Sequence, residues 1–196
     1  MSQPNTITAS ANGTSSTIQV KRPSFKSLWE PYKFVDQRVT AKEVYKIIGG
    51  NVWEQYLEGK SNNNPYFENS CALRLSYAFN KGVFTIPSKV NIFPNPKDIQ
   101  RWRGGDNKAY IFRVNDMIRW VQKEFGNPDI EIDTYGKDVS NQLAGKKGII
   151  IFTVKGWSNA TGHVTLWDGS TCGDHCYFTH ANSTAITIKV QLWELK

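Results

Sequence analysis

A solitary cysteine, a histidine at the start of a strand and a carboxylate nearby are the parts of a nucleophilic amide-cleaving site, and this sequence holds all three. Cys71 lies in residues 69–79, Asn-Ser-Cys-Ala-Leu-Arg-Leu-Ser-Tyr-Ala-Phe. The apolar spacing there predicts a helix that starts at the sulfur, with Leu75, Ala78 and Phe79 on the same face as Cys71. At such a start the unpaired backbone N–H groups and the positive dipole end favour a thiolate, the form that attacks carbonyls. The same N–H groups can receive an oxyanion. Asn69 or Ser70 is the expected cap. A small core cysteine has the same local signature, so Cys71 needs a base beside it to be read as a nucleophile.

The sequence has three histidines: His163, His175 and His180. His163 follows Gly162 at the head of an apolar strand over residues 164–167, and Asp168-Gly169 is a two-residue hairpin signal. A turn centred on that pair sets Asp174 opposite His163, where a carboxylate could fix the tautomer of the ring. Asp168 is the rival orienter. Five residues beyond His163 it points to the opposite face of an unbroken strand, so its expected role is turn former. His163 taken alone would pass for a core histidine bonded to backbone. His180 sits in a turn-like stretch and is expected to be exposed.

Cys172 and Cys176 flank Asp174. Two readings stay open. They could close a small disulfide ring around the carboxylate, which requires an oxidising compartment. They could instead join His175 and either His163 or His180 in a zinc set, although the spacing is loose and no second ligand pair is present.

The elements that must position these residues follow from pattern. Residues 1–24 are rich in Ser, Thr, Asn and Gly and read as a flexible leader; residues 25–196 read as one catalytic domain. Residues 40–43, Thr-Ala-Lys-Glu, form a capping box ahead of Val44, Ile47 and Ile48, and Gly49-Gly50 ends that helix. Residues 59–65 read as a polar loop, and 83–96 as an irregular stretch with three prolines. A short strand is expected over 109–114. Asn115 then caps a helix carrying Met117, Ile118, Trp120, Val121 and Phe125. Residues 138–144 suggest another short helix. Residues 148–154, Gly-Ile-Ile-Ile-Phe-Thr-Val, read as a buried central strand, with further strands at 162–167 and 186–195. Helices first and antiparallel strands afterwards predict an α+β domain.

The chain has 196 residues and a net charge of +7, with 39% hydrophobic and 21% charged residues, a globular balance. A basic surface favours polyanions. No finger spacing, RNP-like strand or dense basic run points to nucleic acid. No run of 18 apolar residues predicts membrane insertion, and no Sec-type signal is expected at the start.

Residues 69–78, 162–169 (Gly-His-Val-Thr-Leu-Trp-Asp-Gly) and 172–176 (Cys-Gly-Asp-His-Cys) together resemble the fourth family of type VI secretion amidase effectors. The resemblance covers residue 25 to the last residue. It implies a papain-like α+β fold with the nucleophile helix packed on an antiparallel sheet. It implies a Cys71–His163–Asp174 triad, a Cys172–Cys176 disulfide, and no cofactor or metal. It also implies cleavage of the γ-D-glutamyl–meso-diaminopimelate amide of peptidoglycan stem peptides, delivery by the type VI apparatus into the periplasm of rival bacteria, and a cognate immunity protein as partner. The Cys71 N–H is the expected oxyanion donor. Arg74, Lys81, Arg101 and Arg103 are candidates for gripping an acidic substrate, though Arg74 equally suits a solvated helix charge; Trp157 and Trp167 could line the groove or fill the core. A host-protein deamidase or acyl transferase, and a basic wall-binding module without chemistry, are the competing functions.

Overall fold

The computed structural model describes residues 22–88, 99–181 and 183–196, and the backbone of 6–11 and 14–19. A hairpin comes first: β1 (Thr6–Ala11) pairs antiparallel with β2 (Thr14–Gln19) inside the segment read as leader. Helices follow: α1 (Phe25–Tyr32), α2 (Ala41–Ile48), α3 (Gly50–Ser61) and α4 (Cys71–Lys81). The short strands β3 (Arg101–Arg103) and β4 (Ala109–Ile111) pair with each other and lead into α5 (Val114–Phe125). Last come β5 (Ile130–Asp133), β6 (Gly148–Lys155), β7 (Gly162–Trp167) and β8 (Ile186–Glu194), an antiparallel sheet in the order β5-β8-β6-β7. The fold is α+β. No helix among the described residues is long and apolar enough to cross a membrane.

The apolar run of β6 is explained by what covers it. Ile149 and Ile151 face the layer of α1, α4 and α5, while Ile150, Phe152 and Val154 face a second core with Trp167, Phe178 and Leu192. A strand buried on both faces needs no polar alternation.

Helix α4 is buried nearly all round, not on one face, because α1, α2, β4 and β7 surround it. Its polar side chains are therefore satisfied internally. Ser76 Oγ donates to Ile111 O (2.9 Å) and accepts from Ile111 N (3.0 Å); Asn80 Nδ2 donates to Ala109 O (2.7 Å) and its Oδ1 accepts from Ile86 N (3.0 Å).

Local expectations are met at several points. The capping box at Thr40 and Glu43 is formed in both directions, and Gly49 ends α2. A short 3₁₀ helix occupies Ser140–Leu143. Other points differ. Ile47 is exposed, and Tyr45 takes its place on the buried face of α2. Residues 59–61 belong to α3, so the polar loop is shorter than expected. Asn115 lies inside α5, whose N-cap is Arg113. Of the proline-rich stretch 83–96, residues 89–96 lie outside the described residues.

Candidate active site

Cys71 opens α4 and lines a cleft of about 670 Å³. Neither expected residue caps the helix through its side chain. Ser70 is the N-cap, yet its side chain bonds no backbone N–H; it accepts from Arg74 Nε (3.1 Å) instead. Asn69 turns outward and donates from Nδ2 to Asn159 O (3.1 Å), and its carbonyl accepts from Tyr45 Oη (3.0 Å). No side chain therefore caps the helix N–H groups beside the sulfur.

His163 stands on β7, directly opposite Phe152 of β6. The two strands approach closely at Gly162, where a Cβ would lie 2.3 Å from Phe152 O. Only glycine permits this approach, and it fixes the register that carries His163 to the mouth of α4. The ring donates from Nε2 to Asp174 Oδ1 at 2.9 Å and is hydrogen-bonded to Cys71 on its other side. Burial disfavours the charged ring, but the Asp174 carboxylate and the Cys71 sulfur outweigh it and raise the His163 pKa to about 10. Burial also acts against the Asp174 charge, and His163 overrides it, so that the carboxyl titrates below its ordinary value. Tyr177 packs edge-on against the imidazole, with ring centroids 4.8 Å apart.

Asp174 meets His163 by a different route from the one the hairpin signal implies. The two-residue tip is Gly169-Ser170, one residue later than expected, and Asp168 N donates to Thr171 O at 3.0 Å. Asp168 Oδ1 accepts from the backbone N–H of Ser170 and Thr171 (both 2.8 Å), which closes a four-residue turn over 168–171. The only bridge beyond it is Trp167–Cys172, after which the chain leaves the ladder. Asp168 is thus the turn former and does not face the ring. The return limb is shaped by a Cys172–Cys176 disulfide that encloses Asp174. Gly173 lies against Tyr32, where a Cβ would come within 2.7 Å of the ring. With both sulfurs joined, the zinc set loses its two thiolates.

Two residues under Asp174 were missed in the sequence. Thr165, fully buried, is hydrogen-bonded to Asp174, and its Oγ1 also meets Tyr32 Oη at 3.0 Å. Burial and the Asp174 charge push the Tyr32 phenol above its ordinary range, so it stays a donor. Tyr32 therefore donates to Thr165, and Thr165 donates to the carboxylate. The signal for Thr165 was present: it is two residues beyond His163 on a strand and shares its face.

Several expected substrate contacts lie elsewhere. Arg74 is buried, neither solvated nor lining the cleft. It donates to the carbonyls of Val35, Asp36 and Val39, so it ties the segment after α1 to α4. Trp167 is core, donating from Nε1 to Leu143 O (3.0 Å). Lys81 pairs with Asp106 (2.9 Å). Arg101 and Arg103 border a separate, smaller depression. Trp157 packs against Tyr177 and His180, and His180 is half-buried with Nε2 2.9 Å from Thr187 Oγ1.

Two expectations follow. Replacing Arg74 by Met leaves three buried carbonyls and the Ser70 hydroxyl without their donor, so a loss of about 3 kcal/mol in urea unfolding is expected; a loss under about 1 kcal/mol would show that water replaces the guanidinium. Replacing Cys172 and Cys176 by Ser opens a very small ring, which is worth at most about 2 kcal/mol of chain entropy. Turnover should fall by about tenfold to a hundredfold, because the loop holding Asp174 is freed. Wild-type protein assayed in dithiothreitol should match the double variant.

Comparison with known proteins supplies the last observation. The sequence model of the family described as type VI secretion system (T6SS), amidase effector protein 4, matches residues 67–193. No curated protein sequence matches. Solved structures do. The chain is similar to the effector in the type VI effector–immunity complex Tae4–Tai4 from Enterobacter cloacae, with 37% identity over 90% of this chain and 100% of that one and a TM-score of 0.73. It is similar to the effector Tae4 from Enterobacter cloacae on its own, with 37% identity over 91% and 100% and a TM-score of 0.73. It is also similar to the Tae4–Tai4 complex from Salmonella Typhimurium, with 38% identity over 90% and 100% and a TM-score of 0.68.

Proposed function

Because the chain belongs to the type VI secretion system amidase effector protein 4 family, we propose that it hydrolyses the γ-D-glutamyl–meso-diaminopimelate amide of peptidoglycan stem peptides. Cys71 is the nucleophile, His163 the acid and base, and Asp174 the orienter. The observation that carries this reading is the contact chain itself: Cys71 on the cleft, hydrogen-bonded to His163, which is bonded to Asp174 at 2.9 Å. A nucleophile at the start of a buried central helix, with its base on the neighbouring strand of an antiparallel sheet, also supports a papain-like reading of the fold.

The chemistry is acyl transfer in two halves. The Cys71 thiolate attacks the γ-carbonyl carbon, and the Cys71 N–H stabilises the oxyanion. The His163 imidazolium gives its proton to the leaving amine of diaminopimelate as the C–N bond breaks, leaving a thioester. Neutral His163 then takes a proton from water, whose oxygen attacks the thioester. The products are a free γ-carboxylic acid, which ionises by releasing its proton to solvent, and the restored thiolate–imidazolium pair. Asp174 stays ionised throughout, held so by Thr165 and by the ring's charge.

In this reading residues 25–196 are the catalytic domain and 1–24 a leader. The type VI apparatus delivers the protein to rival cells, where it acts in the periplasm, an oxidising compartment that suits the Cys172–Cys176 disulfide. A cognate immunity protein blocks the cleft, as the effector–immunity complexes of its relatives suggest. Digestion of purified muropeptides followed by mass spectrometry tests the bond assignment. New fragments that begin at diaminopimelate are expected; intact stems after prolonged incubation would count against it.

A further inference from the structure

The residues lining the cleft include no carboxylate and a single formal charge, that of Arg113. Arg113 is exposed, and among the described residues it makes no ion pair. It is nonetheless pre-ordered. Its guanidinium lies over the Phe112 ring at 5.2 Å; Phe112 stacks on Trp102 (centroids 3.5 Å apart, planes 4° apart), and Trp102 on Phe67 (5.8 Å, 5°). All four side chains line the cleft. A cation held on an aromatic stack has already lost much of its rotamer freedom, so less is lost when it binds an anion.

Arg113 is also tied to the catalytic end of the cleft. The loop 159–161 runs straight into Gly162 and His163. It accepts from Asn69, two residues before Cys71, at Asn159 O (3.1 Å), and Thr161 Oγ1 donates to Asn115 Oδ1 (2.9 Å), two residues after Arg113. One short loop therefore bridges the start of α4 and the start of α5. The span from the sulfur to the guanidinium is set by packing rather than by a mobile arm.

We infer that Arg113 is a specificity-determining residue that takes a carboxylate of the substrate, and that this group is the free α-carboxylate of the γ-D-glutamyl residue. The inference rests on the substrate proposed above and adds the group that is read. In a γ-linked glutamyl residue the α-carboxylate is three carbons from the attacked carbonyl, nearer than the free carboxylate at the far end of diaminopimelate. A planar guanidinium bonds a carboxylate through two parallel N–H groups and has no comparable fit to a carboxamide.

The experiment compares tetrapeptide muropeptides carrying D-glutamate, D-isoglutamine, or diaminopimelate amidated at its far carboxyl. Wild type should cut the D-glutamate stem with kcat/KM about tenfold above the D-isoglutamine stem, and amidation of diaminopimelate should matter little. Arg113→Met should lose that tenfold on D-glutamate stems and leave D-isoglutamine stems unchanged, with partial recovery in Arg113→Lys. Equal cleavage of D-glutamate and D-isoglutamine stems by wild type, an equal fall on both in Arg113→Met, or selectivity that follows the diaminopimelate carboxyl would overturn the inference. Calorimetry of the same peptides with Cys71→Ala protein separates the two readings. If wild type cuts no stem, the bond assignment fails, while tighter binding of the D-glutamate peptide that vanishes on adding Arg113→Met would still support the subsite. Equal binding of the two peptides, or none, would remove it.

Discussion

Cys71→Ala is expected to abolish stem-peptide hydrolysis, with a fall in kcat of about a millionfold and no comparable loss of fold. Without the sulfur no thioester forms, and His163 and Asp174 have nothing to activate. Members of a nucleophile–base–orienter set act as a unit, and losing the nucleophile costs about as much as losing the whole set. The structural cost is small. The residue is 8% exposed at the edge of a cleft, and removing one sulfur there should destabilise by about 1 kcal/mol. Muropeptide digestion and urea unfolding of the same preparation check both halves. Retained hydrolysis in a folded Cys71→Ala protein would eliminate covalent catalysis.

Asp174→Asn should lower kcat by about a thousandfold or more and should also change the pH profile, which a merely structural residue would not do. In the wild type the carboxylate and the sulfur hold His163 protonated to about pH 10, so the imidazolium persists through neutral and mildly alkaline pH. The amide keeps the volume and removes the charge. Burial then acts on the ring with less opposing it, and the imidazolium loses its proton at lower pH. The alkaline limb of the rate profile therefore moves downward in Asp174→Asn. Asp168→Asn should do neither, since Asp168 bonds the N–H groups of Ser170 and Thr171 and does not face the ring.

The same pair has a stability signature of fixed sign. His163 is raised above its ordinary 6.5, so its contribution is complete below pH 6.5 and is lost as pH rises toward 10. Asp174 is lowered below its ordinary 3.8, so its contribution is complete above that value and is lost as pH falls. Stability from this pair should therefore peak between those ordinary values and decline on both sides. Asp174→Asn should flatten the dependence.

Much of the site was legible before any tertiary information. The helix start at Cys71, the strand at His163 and the flanking of Asp174 by two cysteines are local patterns that depend on residues a few positions apart. Helix α3 was not legible: Gly50 opens it with no side-chain cap, and its apolar residues are few. The hairpin signal set Asp174 beside His163, where the structure has it, but through the wrong turn. Its arithmetic assumes an unbroken ladder centred on Asp168-Gly169, whereas the turn falls one residue later, at Gly169-Ser170, and the disulfide redirects the limb.

Arg74 and Arg113 mark the boundary most clearly. One alphabet and one charge gave no way to tell them apart in the sequence. Arg74 is surrounded by the carbonyls of a segment more than thirty residues earlier and is a structural tie. Arg113 rides on a ring stack assembled from residues 67, 102 and 112 and faces the cleft. Sequence by itself determined which side chains are capable of the chemistry and which short elements carry them, because backbone hydrogen bonding and side-chain periodicity are short-range. Tertiary structure alone decided which of those side chains meet, which charge is buried and which is left for a substrate, because those outcomes depend on packing between segments that no local pattern couples.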